Sequence, residues 1–247
     1  MQILKLDNVG LTYFSDNGET EALKDLSFSV NAGDFVSIVG PSGCGKTTIL
    51  SLISGLIKAT KGTITIENSD NAFVGYMFQK DNLFEWRTIL SNVYLGLELT
   101  KKKKSKEDIK YVEELLKKYN LWEFRHKYPR QLSGGMRQRV SLIRTLALRP
   151  KVLLLDEAFS ALDYQTRLNV CDDVYNIIKQ EKVTAILVTH DISEAISLSD
   201  KIVILSSRPA TVKKEINLDL KSLGSPLKRR ESSIAKEYFE DIWKELQ

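Results

Sequence analysis

The sequence predicts an α/β fold organised around a mainly parallel β-sheet. Two short apolar runs, residues 35–39 and 152–155, lack polar alternation, which is typical of strands covered on both faces. Segments with helical periodicity separate such runs along the chain. Alternation of this kind favours a parallel sheet with helices on both sides.

The predicted elements follow in chain order. Strands are expected at residues 3–9, 26–30, 35–39, 63–66, 73–78, 152–155, 184–189 and 201–205. Helices are expected at residues 46–56, 134–148 and 164–179, and helical periodicity covers residues 88–119. The polar residues 15–20 predict a loop between the first two strands. Residues 223–247 predict an amphipathic helix whose apolar side carries Ile234, Tyr238, Ile242 and Leu246.

Composition excludes several classes of protein. The chain has 247 residues, 36 basic and 32 acidic, and the resulting net charge of +4 does not by itself indicate a nucleic-acid partner. Its two cysteines, Cys44 and Cys171, form no CxxC pair, so a reducing compartment is expected. No apolar run approaches the ~20 residues that span a bilayer, and the first residues lack the apolar core of a signal peptide. Any membrane function is therefore expected to depend on a partner.

A glycine-rich segment between the strand at 35–39 and the following helix matches the pattern GxxxxGK[ST] in full. Its residues are Gly40, Pro41, Ser42, Gly43, Cys44, Gly45, Lys46 and Thr47. Glycines allow backbone N–H groups to point inward at phosphate oxygens, and the helix N-terminus adds positive potential. Lys46 would reach the β- and γ-phosphates, and the Thr47 hydroxyl would bind Mg²⁺. Thr48 is also a candidate for binding the nucleotide. Cys44 is either a reactive thiol or a small residue filling the loop.

Two acidic residues, Asp156 and Glu157, directly follow the apolar strand at 152–155. Ligands bind beyond the carboxyl ends of strands in open parallel sheets, so Asp156 is placed to help hold Mg²⁺. Glu157 points elsewhere and would polarise an attacking water. Without the glycine-rich loop, these two residues could equally be ordinary acidic residues on the surface at the end of a strand.

The segment Leu132-Ser133-Gly134-Gly135-Met136-Arg137-Gln138-Arg139 resembles the signature of ABC ATPases. The resemblance implies a P-loop NTPase with a mainly parallel sheet core, an N-terminal antiparallel β subdomain and a helical signature subdomain. It also implies that two copies sandwich ATP, with Ser133, Gly134 and Gly135 binding the γ-phosphate held by the other copy.

The same resemblance assigns roles to further residues. Tyr13 would stack on adenine, with a core tyrosine as the alternative. Gln79 would contact Mg²⁺ and the attacking water, unless it is an ordinary surface glutamine. Asp163 would lie in the loop that crosses the dimer interface, and it could cap a helix there as well. His190 would contact the γ-phosphate rather than serve a structural role. The implied catalytic set is Lys46, Gln79, Glu157 and His190, and the implied metal ligands are Thr47, Gln79 and Asp156.

A finer resemblance, within a match over residues 4–212, is to the ATPase subunits of nitrate, sulfonate, taurine and bicarbonate importers. Residues 79–88 and Ser207-Arg208-Pro209 carry it, while Met136 and Ala210 depart from the more general pattern. It implies an ATPase domain over residues 1–215, with a helical insertion near 87–130 and a signature helix from 133. A tail with an amphipathic helix would occupy residues 216–247, as a dimer contact, a regulatory segment or a packing brace.

The implied partners are a second copy, a transmembrane permease and, indirectly, an extracytoplasmic solute-binding protein, with no nucleic acid. The permease would contact Leu83, Phe84, Trp86 and Arg87, although Phe84 and Trp86 would alternatively pack into the helical lobe. The protein is then expected at the cytoplasmic face of the cell membrane. The lysine block at 101–104 is either a solvated loop or a site for acidic headgroups.

The expected function is ATP hydrolysis that powers import of a small solute. Two alternatives remain at this point: a non-transport ABC ATPase acting in DNA repair or translation, and a P-loop module that switches without steady turnover.

Overall fold

The computed structural model describes residues 1–16, 18–67, 74–100 and 104–247. One sheet is antiparallel with the order β2-β1-β4, and the other has the order β5-β6-β7-β3-β8-β9. The strands are β1 Gln2–Ser15, β2 Gly18–Asn31, β3 Phe35–Val39, β4 Lys61–Ile66, β5 Val74–Met77, β6 Val152–Asp156, β7 Thr184–Val188, β8 Lys201–Leu205 and β9 Val212–Asn217. The helices are α1 Lys46–Ile53, α2 Ile89–Thr100, α3 Lys106–Lys118, α4 Gly134–Leu146, α5 Tyr164–Gln180, α6 Ile192–Leu198, α7 Pro226–Glu231 and α8 Ser233–Leu246. Short 3₁₀ turns lie at Trp122–Phe124, Pro129–Gln131 and Lys221–Leu223.

The second sheet confirms the predicted mainly parallel core. Strands β5, β6, β7, β3 and β8 pair in parallel, and only β9 runs antiparallel to its neighbour. All five residues of β3 and of β7 are buried, as expected for strands covered by helices on both faces. Because these strands share a direction, their carboxyl ends meet at one edge of the sheet.

The first two strands are longer than predicted. The polar pattern predicts a loop at residues 15–20, but β1 extends to Ser15 and β2 begins at Gly18, which pairs with Ser15. Polar residues such as Glu19 and Thr20 are exposed in this outer part of the hairpin. Strand pairing satisfies their backbone groups without apolar side chains, so the apolar pattern does not reveal it.

The helical insertion contains two helices with a common apolar face. Val93 and Leu97 of α2 and Val112, Leu115 and Leu116 of α3 are buried in one cluster with α4. Helix α3 begins with a capping box in which Ser105 and Asp108 each accept the other's backbone N–H at 3.0 Å. Residues 101–103 of the lysine block, and Phe73 of the predicted strand at 73–78, lie outside the described residues.

The tail forms two helices rather than the single predicted one. Helix α7 ends at Glu231, and Ser232 then caps α8 by accepting the N–H of Ala235 at 3.1 Å. Ala235 and Ile242 of α8 are buried, whereas Ile234 is 41% exposed. The apolar side of α8 therefore starts one residue later than the spacing of four predicts.

Strand β9 lies outside the predicted elements. Its central residues Lys213, Lys214 and Glu215 are charged, and the strand occupies the edge of the sheet beside β8. Lys213 and Lys214 both pair with Glu245 near the end of α8. Charged residues are common on edge strands, but they hide the alternation used to recognise a strand. Among the residues that the structure describes, no helix is both long and apolar enough to cross a membrane.

Candidate functional site

The glycine-rich loop connects β3 to α1 at the carboxyl edge of the parallel sheet. Gly43 and Gly45 have φ values of 72° and 118°, in the left-handed region that favours glycine. A Cβ on Gly40 would lie 2.9 Å from Cys44 Sγ and 3.0 Å from Leu205 Cβ. The tight curl of this loop therefore depends on glycine at three of its positions.

The Lys46 ammonium lies within the loop. Lys46 is only 7% exposed, and its Nζ donates to the carbonyl oxygens of Gly40 and Pro41, each at 2.9 Å. The neighbouring Cys44 is 1% exposed, which favours the role of a small residue filling the loop over that of a reactive thiol. A buried cation, glycine turns and a helix N-terminus together form a cradle suited to phosphate groups.

Thr47 and Asp156 meet although 109 residues separate them. The Thr47 hydroxyl donates to Asp156 Oδ1 at 3.1 Å, and the Tyr76 hydroxyl donates to Oδ2 at 2.9 Å. Burial, with the Asp156 carboxylate as a second cause, raises the pKa of Tyr76, so its hydroxyl stays a donor. A carboxylate and a hydroxyl beside a phosphate cradle are the hard oxygen ligands that Mg²⁺ takes, together with water and substrate phosphates.

Glu157 has a left-handed backbone conformation, with φ of 45°. Its N–H donates to the carbonyl of Val188 at 2.9 Å, which fixes the end of β6 against the end of β7. The Glu157 carboxylate lies 3.3 Å from Nδ1 of His190, whose side chain is 61% exposed. Strand pairing therefore brings together two of the predicted catalytic residues.

Gln79 is connected to the backbone of Glu157 through the Ser160 hydroxyl. Its Nε2 donates to the Ser160 hydroxyl at 3.0 Å, and that hydroxyl donates to the Glu157 carbonyl at 2.9 Å. The Tyr13 ring is 45% exposed, and its hydroxyl lies 3.4 Å from that of Thr48. Tyr13 is thus not a core tyrosine, and its ring is free to stack beside the glycine-rich loop.

The signature segment forms a separate part of the surface. Ser133 caps α4 by accepting the N–H of Met136 at 3.3 Å. A Cβ on Gly135 would lie 2.9 Å from Val170 Cγ2, so α4 and α5 approach closely at this glycine. Ser133, Gly134, Gly135, Leu162 and Asp163 share a surface cavity, and the residues of the glycine-rich loop do not line it.

Asp163 caps α5 and accepts the N–H of Thr166 at 3.0 Å. Hydrogen bonds from the Thr166 side chain and backbone hold the pKa of Asp163 below its usual value. This residue joins the signature turn rather than the loop of Lys46. The predicted site residues therefore divide into two groups on one chain.

Three residues outside the predicted set support the site. Tyr76 holds Asp156, and Asp191 caps the helix after His190 by accepting the N–H of Glu194 at 3.0 Å. Arg208 donates to the carbonyl of Gly43 at 2.9 Å across 165 residues. Arg208 belongs to the segment that carries the finer resemblance, but no sequence spacing relates it to Gly43.

The expected permease contacts are only partly on the surface. Phe84 and Trp86 stack with ring centroids 4.7 Å apart, and Trp86 is 75% exposed, so it does not pack into the helical lobe. Arg87 pairs with Glu98 and donates to the Ser91 hydroxyl at 2.7 Å. Leu83 is 7% exposed and lies in the core of the lobe, which corrects its prediction as a surface contact.

Comparisons with known proteins identify the family of the chain. The family model described as "ABC transporter" matches residues 23–160. The uncharacterized ABC transporter ATP-binding protein YtlC of Bacillus subtilis is 44% identical, over 100% of this chain and 96% of the relative. The aliphatic sulfonates import ATP-binding protein SsuB of Bacillus cereus is 41% identical, over 95% of this chain and 90% of the relative.

A solved structure is similar over nearly the whole fold. It is the dimeric, post-hydrolysis ATP-binding cassette MJ0796 bound to ADP and Pi, with a TM-score of 0.72 and 34% identity. The match covers 87% of this chain and 99% of that chain. By its motifs, its fold and these matches, the chain belongs to the ABC transporter family, as one of its ATP-binding proteins.

Proposed function

We propose that this protein hydrolyses ATP and uses the energy to power import of a small solute, of the sulfonate or nitrate type, through a separate permease. The observation that carries the catalytic part is the meeting of Lys46, Thr47, Asp156, Glu157 and His190 at one edge of the parallel sheet. The direction of transport and the class of solute rest on the resemblance to importers such as SsuB.

The glycine-rich loop would hold the phosphates. Lys46 exchanges its bonds to the Gly40 and Pro41 carbonyls for phosphate oxygens, and the inward amides of the loop bind the rest. Tyr13 stacks on the adenine ring. Most of the rate enhancement in phosphoryl transfer comes from such positioning and from charge neutralisation.

Thr47 and Asp156 would hold Mg²⁺, with Gln79 as the third candidate ligand. The described residues contain no group of three or more His, Cys, Asp or Glu side chains arranged for a metal. Mg²⁺ does not need such a group, because it is bound mainly by substrate phosphates and water. The protein would add a hydroxyl and one carboxylate. When bound, the ion neutralises charge that develops on the β- and γ-phosphate oxygens.

Glu157 would polarise the water that attacks the γ-phosphate, and His190 would contact the γ-phosphate. The 3.3 Å approach of these side chains means that they face the same small volume. Gln79 lies beside Ser160, and the Phe84–Trp86 patch begins five residues further along the chain. Phe84, Trp86 and Arg87 would contact the permease.

Two copies would complete each site. Ser133, Gly134, Gly135 and Asp163 line their own cavity, so one chain presents a phosphate cradle and a signature turn at separate places. Head-to-tail pairing of two chains would place each signature turn over the cradle of the other. The similar MJ0796 cassette is a dimer, which supports this arrangement.

The competing functions fit less well. DNA-repair ATPases of this type contain long coiled coils, whereas the longest helix among the described residues, α5, has 17 residues. A switch without turnover would not need Glu157 and His190 placed together.

The test is turnover of Mg-ATP by the purified protein. Glu157→Gln keeps the size of the side chain, so we expect ATP binding to stay near normal while steady-state hydrolysis falls on the order of a hundredfold. Glu240→Gln, an exposed change on α8, is the matched control. Near-normal hydrolysis by Glu157→Gln would overturn the proposed role, and failure to co-purify with a hydrophobic membrane subunit would overturn the transport function.

A further inference from the structure

The turn that carries His190 is closed by a set of short hydrogen bonds. Thr189 Oγ1 accepts the N–H of Asp191 and donates to Glu194 Oε2, both at 3.0 Å. Asp191 Oδ1 in turn accepts the N–H of Glu194 at 3.0 Å. These bonds fix the backbone on both sides of His190, and hence the direction from which its ring approaches Glu157.

The second carboxylate oxygen of Asp191 faces two arginines from distant parts of the chain. Arg167 Nη1 of α5 lies 3.6 Å from Oδ2, and Arg230 Nη2 of α7 lies 3.7 Å from it. The three side chains are only 19–24% exposed, so solvent screens these pairs less than it screens ordinary surface pairs. The Arg230 guanidinium also lies 5.8 Å from the ring of Tyr164, the residue after Asp163.

Helix α7 is held in one position by the residue before Arg230. Arg229 is 2% exposed, donates to the Tyr175 hydroxyl at 2.6 Å and to the Gly224 carbonyl at 3.0 Å, and stacks on the Tyr175 ring. A guanidinium is buried at a tolerable free energy only when its donors are satisfied, so this docking is specific. Arg230 is therefore presented to Asp191 from a fixed point.

We propose that Arg230 is a positioning residue through which the C-terminal tail orients the His190 turn. Arg230 would act through Asp191, without touching the nucleotide. The inference rests on the proposed function, because the orientation of His190 affects turnover only in a protein that hydrolyses ATP. It assigns the tail a task in catalysis and goes beyond the role of a packing brace.

The test compares Arg230→Met with Lys228→Met, a matched loss of charge at an exposed position of the same helix. We expect Arg230→Met to lower kcat on the order of tenfold, since a displacement of ~1 Å costs up to about a hundredfold. KM for ATP should stay within about twofold of that of the native protein, because the Lys46 loop is untouched. Arg230→Lys should restore most of the turnover, and Lys228→Met should match the native protein.

A second measurement is hydrogen exchange at the Asp191 and Glu194 amides without nucleotide. Exchange should be faster in Arg230→Met than in Lys228→Met, because the bonds of the turn open more often. If Arg230→Met does not fold, Arg230→Gln takes its place with the same expected results. Three results would overturn the inference: equal kcat in Arg230→Met and Lys228→Met, a loss in Arg230→Met that comes from a higher KM for ATP instead of a lower kcat, or equal amide exchange in the two variants.

The two hypotheses fail separately. If the native protein does not turn over Mg-ATP, the proposed function fails, and the inference fails with it as a statement about catalysis. If Glu157→Gln loses turnover while Arg230→Met keeps it, the proposed function stands and only the role of Arg230 is wrong.

Discussion

The Tyr76 hydroxyl donates to Asp156 Oδ2 at 2.9 Å and thereby fixes the carboxylate whose other oxygen accepts the Thr47 hydroxyl. Tyr76 and Asp156 stand on neighbouring parallel strands, β5 and β6. The carboxylate is thus oriented before any ion is bound. An oxygen held in place for Mg²⁺ loses less conformational freedom when the ion arrives.

Tyr76→Phe removes this hydrogen bond and keeps the ring that stacks on Phe78. A bond to a charged group contributes about 1.5 kcal/mol, so we expect the Mg²⁺ concentration at half-maximal ATPase activity to rise on the order of tenfold. Nucleotide binding without Mg²⁺ should be unchanged, because the glycine-rich loop is not altered. Unchanged Mg²⁺ dependence would show that Tyr76 does not position Asp156.

Glu194→Gln should remove a pH dependence of stability. Burial raises the pKa of Glu194 from 4.5 to about 7, and its Oε1 has no hydrogen-bond partner among the described residues. In the unfolded chain the Glu194 carboxyl ionises near its ordinary pKa of 4.5. Between pH 4.5 and about 7, the folded state therefore binds a proton that the unfolded state has lost. The stability associated with that proton is present below pH 4.5 and is lost as pH rises through about 7.

The loss for this group amounts to on the order of 3 kcal/mol in the free energy of unfolding. Urea titrations between pH 5 and 8 should therefore show Glu194→Gln gaining stability relative to the native protein as pH rises. Glu237→Gln, at an exposed position of α8, should show no such trend. Parallel curves for the native protein and Glu194→Gln would contradict the assignment.

Trp86→Ala should uncouple transport from ATP binding. The Trp86 side chain stacks on Phe84 and is 75% exposed, so truncation costs little stability. Aromatic anchors of interfaces contribute about 2 kcal/mol or more, so solute uptake by the complex should fall by more than about tenfold. ATP affinity of the isolated chain should not change.

Trp243→Ala is the control for this experiment, because Trp243 is also exposed, at 52%, and stacks on Phe239 in α8. Full uptake by Trp86→Ala, or equal losses in the two variants, would refute the permease contact.

Gly75→Ala should destabilise the contact between α4 and the sheet. A Cβ at this position of β5 would lie 2.5 Å from Thr145 Cγ2 and 3.2 Å from Pro150 Cβ. Overpacking of this kind costs about 1–3 kcal/mol, which thermal or urea unfolding would measure. Gly10→Ala in β1, whose Cβ would have its nearest neighbour at 3.4 Å, is the control and should be nearly neutral.

The parallel core and the phosphate loop are predictable because their signals are local. Residues 35–47 contain strand, glycine turn and helix start in one stretch, and residues 152–157 contain strand and acids in another. The shared direction of parallel strands then places Asp156 and Glu157 at the same edge of the sheet as that loop. The strand order, with β7 between β6 and β3, requires the structure. Long-range contacts carry no such signal, so the bond from Arg208 to Gly43 and the pairing of Arg230 with Asp191 require the structure.

The remaining differences from prediction have physical causes. The outer hairpin and β9 are stabilised by backbone pairing while their side chains face water, so apolar periodicity does not mark them. Adjacency in the chain groups Leu83 with Phe84 and Trp86, yet Leu83 points into the lobe while Trp86 points into solvent. Neighbouring residues outside regular structure face different directions, and sequence alone does not say which.

Strand β9 also bears on how copies of this protein meet. Its lysines place positive charge along the outer edge of the sheet, and their pairing with Glu245 binds α8 across that edge. Uncovered sheet edges recruit strands from other molecules and start aggregation, whereas charged and covered edges resist it. At this end of the sheet, intermolecular strand addition is therefore disfavoured.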